Sequence, residues 1–509
     1  MERLTDMKVS HAYTDKHFII SDIDRRVYGS FAEHMGRCIY EGIYQPGNKF
    51  ADEKGIRLDV LEEVKKLGVS LVRYPGGNFV SAYHWENTVG PQSERKTMIE
   101  PAWRSIDTNE FGLNEFMDWA KRANVDPMMA INLGTRGVDA AIHLLEYCNH
   151  PSGTYYSDLR RKHGYEAPHN IKLWCLGNEM DGPWQIGHKP ADEYGRLAWQ
   201  AGKVMKMIDP ELELVVCGSA GTALPTFGSW DATVVEETYD ICDYLAMHTY
   251  FDNRNKTPDD TRAFLASGVV FERQIEDVIS CCDYVRAKLK KKKKINLSID
   301  EWNVVYRPHG KNPPIDWTQA SHHIEDVYCM EDVIVVGNAL IAMLKHADRV
   351  KIGCLAQLVN VIAPIMTSDN GMWLQTIYYP FAHCSEYGQG KSIKVIFDSG
   401  FYETKKYGEI PYLDGALVEN EEREELTLFV INRDLDDAHS LDIDLRQYEG
   451  YEVARHIVVN HDNLRATNTE DNPFNVVPRE NGISKLDGGK LDAVIEAHSW
   501  NVIVMKKHR

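Results

Sequence analysis

Ile171-Lys172-Leu173-Trp174-Cys175-Leu176-Gly177-Asn178-Glu179 reads as a short buried strand that ends on a carboxylate. A second segment, Ile295-Asn296-Leu297-Ser298-Ile299-Asp300-Glu301-Trp302-Asn303, follows the same plan. An ionised group at the end of an apolar run is costly to bury unless it is hydrogen-bonded or used. One such glutamate, taken alone, reads equally well as a helix cap or a salt-bridged strand end. What decides between the readings is the company these two segments keep.

Between about residues 25 and 385 short apolar runs alternate with longer helical patterns, which predicts a parallel β/α sheet. The candidate strands are Gly29–Glu33, Ser70–Tyr74, Pro127–Leu133, Ile171–Leu176, Leu212–Cys217, Tyr244–Tyr250, Ile295–Glu301 and Gly353–Leu358. Helical stretches such as Leu61–Leu67, Leu113–Ala123, Glu193–Met207 and Tyr328–His346 lie between them. Eight strands over this span fit a (β/α)8 TIM barrel with long loops. A doubly wound sheet would alternate too, but neither glycine-rich phosphate motif is present. After about Tyr387 the texture changes. Leu426–Ile431, Leu441–Leu445 and Ser499–Met505 alternate like strands, with Gly, Asp and Asn turns and no helical period between them, which predicts an antiparallel β-sandwich of jelly-roll type. Lys8–Ile20 also alternates and is expected to add a strand to it. The expected division is residues 1–20 with the sandwich, 21–386 as the catalytic barrel, and 387–509 as the sandwich.

The chain has 509 residues and a formal net charge of −19. That size suits two domains, and that charge argues against a nucleic-acid partner, which would demand a basic surface. The basic run Lys288–Lys294 follows a helical segment, where cations complement the helix dipole. No apolar stretch of about 18 residues occurs, and the N-terminus lacks the apolar core of a signal peptide. Cys175, Cys217, Cys242 and Cys354 lie inside apolar runs as small hydrophobes, and Cys281-Cys282 suits neither a zinc knuckle nor a routine disulfide. The expectation is a cytoplasmic protein with reduced cysteines and no membrane partner.

In a TIM barrel the C-terminal strand ends carry the active site. Here they present Glu33, Arg73 to Asn78, Asn178-Glu179, His248, Tyr250, Glu301 and Gln357, while the strand interiors are apolar. Glu179 ends the fourth strand and Glu301 the seventh. Paired carboxylates on one barrel face are what retaining glycoside hydrolysis uses, one as acid/base and one as nucleophile.

The segments Tyr28–Arg37, Arg73–Phe79, Asn132–Gly137, Trp174–His188, Asp300–Asn303 and Cys354–Asn360 make the chain resemble a family 51 glycoside hydrolase of the intracellular bacterial α-L-arabinofuranosidase type. The resemblance covers nearly the whole chain, closing on Ser499-Trp500-Asn501-Val502. It implies an exo-acting retaining enzyme that removes terminal arabinofuranose from arabinan or arabinoxylan fragments. By it, Glu179 is the general acid/base and Glu301 the nucleophile. Arg73 then favours the charged form of Glu301, while burial and repulsion from Glu301 favour a protonated Glu179. Asn178 is placed to hydrogen-bond the sugar 2-hydroxyl. Glu33, Asn78 and Gln357 match positions that grip the furanose, His248 and Tyr250 positions near the nucleophile, and Trp103 a wall of the pocket. Taken singly, His248 reads as a core histidine, Asn78 as a turn residue and Trp103 as packing.

The resemblance also implies a homo-oligomer, a hexamer in many relatives, and no cofactor. No metal is expected, since His322-His323 and His34 lack the spacing of a helical metal motif. Val305 stands where many relatives carry an aromatic residue, and Thr249 and Phe251 where they often carry Gln and Tyr. All three are expected to alter the rim that receives the leaving group. An endo-β-glucanase or β-xylosidase on the same barrel is the alternative enzyme reading, and a non-catalytic carbohydrate-binding protein the alternative class.

Overall fold

In a computed structural model of the protein, residues 7–252, 260–306 and 317–507 are described. Eight parallel strands close into a barrel: β1 (Gly29–Phe31), β2 (Leu71–Tyr74), β3 (Asp126–Ala130), β4 (Leu173–Leu176), β5 (Glu213–Val216), β6 (Tyr244–Phe251), β7 (Asn296–Val304) and β8 (Val350–Ala356). Strand β8 pairs with both β7 and β1, which closes the ring. Each lies where an apolar run predicts it. Strands such as β2 and β4 are buried at every residue, because side chains fill the barrel on one face and helices cover the other. Helices Leu58–Leu67, Leu113–Ala123, Ala191–Ile208 and Ser267–Lys288 form part of that cover. Beyond Lys288 the basic run is solvated, and Lys288, Lys291 and Lys293 pair with Glu236, Asp240 and Asp243. All ten cysteines are free, and nine are buried.

A nine-stranded sheet forms the second layer, in the order Tyr451–Val459, Ser499–Lys507, Glu425–Asn432, Leu413–Asn420, Lys391–Asp398, Lys8–Asp22, His439–Asp444, Lys490–Ile495 and Ser484–Asp487. Its pairings are antiparallel except that between Lys8–Asp22 and His439–Asp444. The sheet curls until its first and last strands meet. Ala12, Ile393, Leu428, Leu441, Leu491 and Ile503 from its two halves share one apolar core, which is how a sandwich buries its inner faces. The N-terminal strand lies mid-sheet, locked between Lys391–Asp398 and His439–Asp444 from the far end of the sequence.

Helix Met330–Lys345 joins the two layers. Apart from Glu331, Asp332, Asn338 and Lys345 it is apolar, and it is almost wholly buried, as a helix between two packed partners must be. At Gly337 an added Cβ would lie 2.5 Å from the Trp500 ring, so the glycine admits the closing strand's indole. Trp500 also donates to His383 Nδ1 at 3.1 Å. Among the described residues no helix is long and apolar enough to cross a membrane.

Candidate active site

The strand ends converge on one mouth of the barrel. On β6 the two-residue period turns His248 and Tyr250 inward and Thr249 and Phe251 outward. On β7 strict alternation would turn Asp300 away from Glu301, but a register shift between Ser298 and Glu301 interrupts the ladder. Such a bulge re-aims side chains, and both carboxylates reach Arg73 and His248. After β4, Gly177 at φ 98° and Glu179 at φ 44° bend the chain sharply. Glutamate rarely takes a positive φ, and such strain collects at functional sites.

Glu301 is 6% exposed and Glu179 8%. The Glu301 carboxylate accepts from Arg73 Nη1 at 2.8 Å and from the Tyr250 hydroxyl at 2.9 Å. Arg73 Nη2 donates to Asn178 Oδ1 at 2.7 Å, and its guanidinium lies 4.8 Å from the Phe31 ring centre. Glu179 shares a hydrogen bond with His248 Nδ1 at 2.9 Å and accepts from Trp184 Nε1 at 2.6 Å. One oxygen each of Glu179 and Glu301, with a ring nitrogen of His248, lie within 4.8 Å of one another. A separation of that order belongs to retaining hydrolysis, where the carboxyl groups stand about 5–5.5 Å apart, not to inversion at about 6.5–9.5 Å.

Glu33 lies across the mouth. Its Oε1 accepts from Gly77 N at 2.9 Å, Phe79 N at 3.0 Å and Trp103 Nε1 at 3.0 Å, and its Oε2 from Gln357 Nε2 at 3.2 Å. Two glycines permit this approach. A Cβ on Gly76 would lie 2.5 Å from Glu33 Cγ, and one on Gly77 2.6 Å from Glu301 Oε1. Asn78 Oδ1 accepts from Asn178 Nδ2 at 3.3 Å, which ties the β2 loop to the β4 loop.

The electrostatics follow from these neighbours. Burial works against a charged His248, yet Glu301, Asp300 and Glu179 around it hold the imidazole well above its usual value. These neighbours favour the imidazolium form, which presents an N–H to Glu179. Burial likewise opposes the Arg73 charge, and Asp300 and Glu301 more than restore it. Asp300 is pushed up by burial but held below the ordinary carboxylate range by Arg73 and His248. Glu33 goes the other way: burial, then the charge of Glu301, push it up to about 8.

All ten predicted site residues (Glu33, Arg73, Asn78, Trp103, Asn178, Glu179, His248, Tyr250, Glu301 and Gln357) thus meet at the mouth in three hydrogen-bonded groups. These are centred on Glu33, on Arg73 with Glu301, and on Glu179 with His248, the last two joined by the His248–Glu301 ion pair at 3.5 Å. Three rim expectations are corrected. Val305 is 6% exposed, belongs to the barrel's apolar core and donates its N–H to Phe251 O at 2.8 Å. It is a packing residue. Thr249 Oγ1 donates to Gln274 on helix Ser267–Lys288, and Phe251 meets the Phe271 ring edge-on. Both face the helices, as the strand period requires.

Sequence reasoning passed over Trp184, Gln185 and Asp300 as site residues. The first two sit inside the specific Trp174–His188 motif, which was the available signal. Asp300 enters through the β7 bulge, which no sequence pattern announced. Among the described residues Glu179, His248 and Glu301 form the one set arranged as metal ligands could be. Their atoms are already engaged with one another, Tyr250, Trp184 and Arg73, and the guanidinium occupies the cation's place beside Glu301.

Two family models match the chain, the α-L-arabinofuranosidase 1 domain over residues 63–263 and the α-L-arabinofuranosidase C-terminal domain over residues 300–499. An intracellular exo-α-(1→5)-L-arabinofuranosidase from Halalkalibacterium halodurans is 53% identical over 495 residues, 97% of this chain and 98% of its own. Its counterpart 1 from Bacillus subtilis is 52% identical over 504 residues, 98% of this chain and 100% of its own. Among solved structures, a family 51 α-L-arabinofuranosidase from Bifidobacterium longum has a TM-score of 0.94 at 38% identity, covering 98% of this chain and 100% of that one.

Proposed function

The chain belongs to the family 51 α-L-arabinofuranosidases, and from that premise we propose that it is a retaining exo-enzyme releasing terminal non-reducing arabinofuranose. The relatives' named activity supports α-1,5-linked arabino-oligosaccharides as the substrate class. The observation that carries the mechanism is the close pair of carboxylates, one bound to a guanidinium and the other to an imidazolium and an indole N–H.

Glu301 is the nucleophile. Arg73 and Tyr250 fix both its oxygens, so one is aimed at the anomeric carbon without loss of side-chain freedom during the reaction. As the bond from that carbon to the glycosidic oxygen breaks, its electron pair goes to the oxygen, which takes the proton of Glu179. The sugar is left bonded to Glu301. Glu179, now charged, removes a proton from water, the water oxygen attacks the anomeric carbon, and Glu301 leaves as carboxylate. Asn178, Asn78, Glu33 and Gln357 hold the furanose hydroxyls, and Trp103 walls the pocket. The division into residues 1–20 with 387–509 as a structural sheet, and 21–386 as the catalytic unit, belongs to this reading. So do a cytoplasmic location, a homo-oligomeric and hexameric state, and chemistry without cofactor.

Azide tests the assignment. Glu179→Ala should regain activity on an activated aryl arabinofuranoside when azide is added, with an α-configured arabinosyl azide as product, since azide displaces Glu301 with a second inversion. Glu301→Ala should not be rescued by that route. The same rescue behaviour in both variants would sink the assignment.

A further inference from the structure

Trp184 is held by the backbone beneath it. Its side chain is 52% exposed, yet its indole N–H is committed to Glu179 Oε2 at 2.6 Å. The turn Glu179–Gln185 folds back on itself, with Gly182 N donating to Glu179 O at 2.8 Å and Gln185 N to Gly182 O at 2.9 Å. A Cβ on Gly182 would lie 2.7–3.0 Å from Cε2, Cζ2 and Nε1 of the indole. A bare backbone at that position is what lets the ring lie flat and point its N–H at the carboxylate. Gln185, next in sequence, is anchored below through Asn178 and Ser81.

The Glu179 carboxyl thus accepts two N–H groups, one from His248 and one from Trp184. Hydrogen bonds to the charged form of an acid favour that form. Glu301 at close range opposes it, and Asp300, Arg73 and Tyr250 lie behind Glu301 and His248. Asp181, on the same turn, is engaged away from the site by Ser219, Ala220 and Thr226. Of the two donors, His248 is buried and fixed, whereas Trp184 is open to solvent.

We propose that Trp184 is a positioning residue for the acid/base step: its indole N–H, seated on Gly182, orients the Glu179 carboxyl and sets the pH above which that acid is lost. This rests on Glu179 being the acid/base. In the resting site Oε2 is occupied by the indole, so protonation of the leaving oxygen from Oε2 needs the indole to yield, and its exposure leaves it free to do so.

The test compares Trp184→Phe, which removes the N–H, with Gly182→Ala, which keeps the indole but displaces it. On an aryl arabinofuranoside with a poor leaving group, both should move the alkaline limb of the kcat/KM–pH profile upward, by about one pH unit for the loss of a hydrogen bond to a charged group. The acid limb should stay put. On a dinitrophenyl substrate, which needs no acid, the shift should vanish. A uniform fall in kcat/KM with the alkaline limb unmoved would make Trp184 a packing residue and overturn the proposal. If the limb moves equally on both substrates, Trp184 is not acting through the leaving-group proton, and the proposal fails as well. Azide rescue of Glu179→Ala is read separately, so failure of the acid/base assignment is told apart from failure of this inference.

Discussion

Asp414, where the barrel meets the β domain, and Glu301, at the barrel mouth, are both buried carboxylates beside a guanidinium, but their surroundings differ. Asp414 accepts from Lys345 at 3.2 Å, Arg433 at 3.1 Å and Asn338 at 3.2 Å, and Lys345 is shared with Glu272 at 2.7 Å. Two cations face two anions there, and each Asp414 oxygen has a charged partner. At the mouth the four carboxyl groups of Glu33, Glu179, Asp300 and Glu301 are set against two cationic side chains, Arg73 and His248, which pair with the last three, and the buried Gln357 Oε1 has no partner. At the junction the charges are balanced within the protein. The mouth keeps more carboxyl groups than cations, and both an acceptor, Gln357 Oε1, and a donor, Arg73 Nε, stand there without a hydrogen bond, a mixture that a sugar's hydroxyls can serve. A buried, balanced pair resists removal of either member, whereas an unbalanced cluster costs stability and is kept for function.

The widest break in the comparison removes the β domain. A chain ending near Tyr387 loses the sheet that covers helix Met330–Lys345 and leaves strand Lys8–Asp22 without neighbours on either edge. Exposed apolar faces and unpaired edges aggregate. The expected outcome is an insoluble product or one without near-ultraviolet dichroism. A soluble, active truncation would show that the junction does not hold the barrel together.

Asp414→Ala should come next. Leaving Lys345 and Arg433 buried without their anion should cost about 3–5 kcal/mol of stability in denaturant or thermal unfolding. The kcat of the surviving folded enzyme should be unchanged. Glu301→Gln should reverse the pattern, losing roughly 10⁴-fold or more in kcat with the unfolding midpoint retained. pH sharpens this. Burial pushes the Asp414 carboxyl up, but Lys345 and Arg433 prevail and hold it below the usual range. Its contribution therefore stands above the unfolded carboxylate value near ~3.9 and is lost as pH falls through the lower native value. The gap between wild type and Asp414→Ala should be flat from about pH 5 to 8 and close only in stronger acid. A gap that closed near neutrality would mean that another group is responsible.

The two regions also differ in how they could be read beforehand. The barrel strands were legible because apolar runs and helical periods mark them, and the strand ends because polar residues stand where burial is costly. The family motifs added the roles. The junction cluster was not legible: Lys345, Asp414 and Arg433 lie on separate elements whose meeting is a tertiary fact. Side-chain direction beyond the strand ends was also misread. Val305 was expected on the rim, and the structure packs it beneath, because its backbone is still paired to Phe251. Thr249 and Phe251 could have been placed correctly by the strand period alone. Trp184 could not, since its aim depends on a turn whose glycine is visible in sequence but whose fold is not.

The smallest effect should have the opposite sign to Asp414→Ala. Glu33 is pushed up to about 8 by burial and by Glu301, against about 4.3 for an unfolded glutamate. Between those values the native state holds the proton more tightly than the unfolded chain, so stability falls as pH rises from about 4.3 toward 8. Glu33→Gln removes the ionisation while keeping an oxygen for the Gly77, Phe79 and Trp103 donors. The new amide N–H₂ would face Gln357, whose Oε1 has no partner, and a flip of that side chain would satisfy both. The variant should match wild type near pH 5 and exceed it near pH 8, with Tm higher by about 2–4 °C, while kcat/KM falls because a furanose contact is altered. Thermal unfolding of both proteins at the two pH values decides it. Equal destabilisation by Glu33→Gln at pH 5 and pH 8 would mean that Glu33 is satisfied as an ion, as Asp414 is, and the contrast between mouth and junction would not hold.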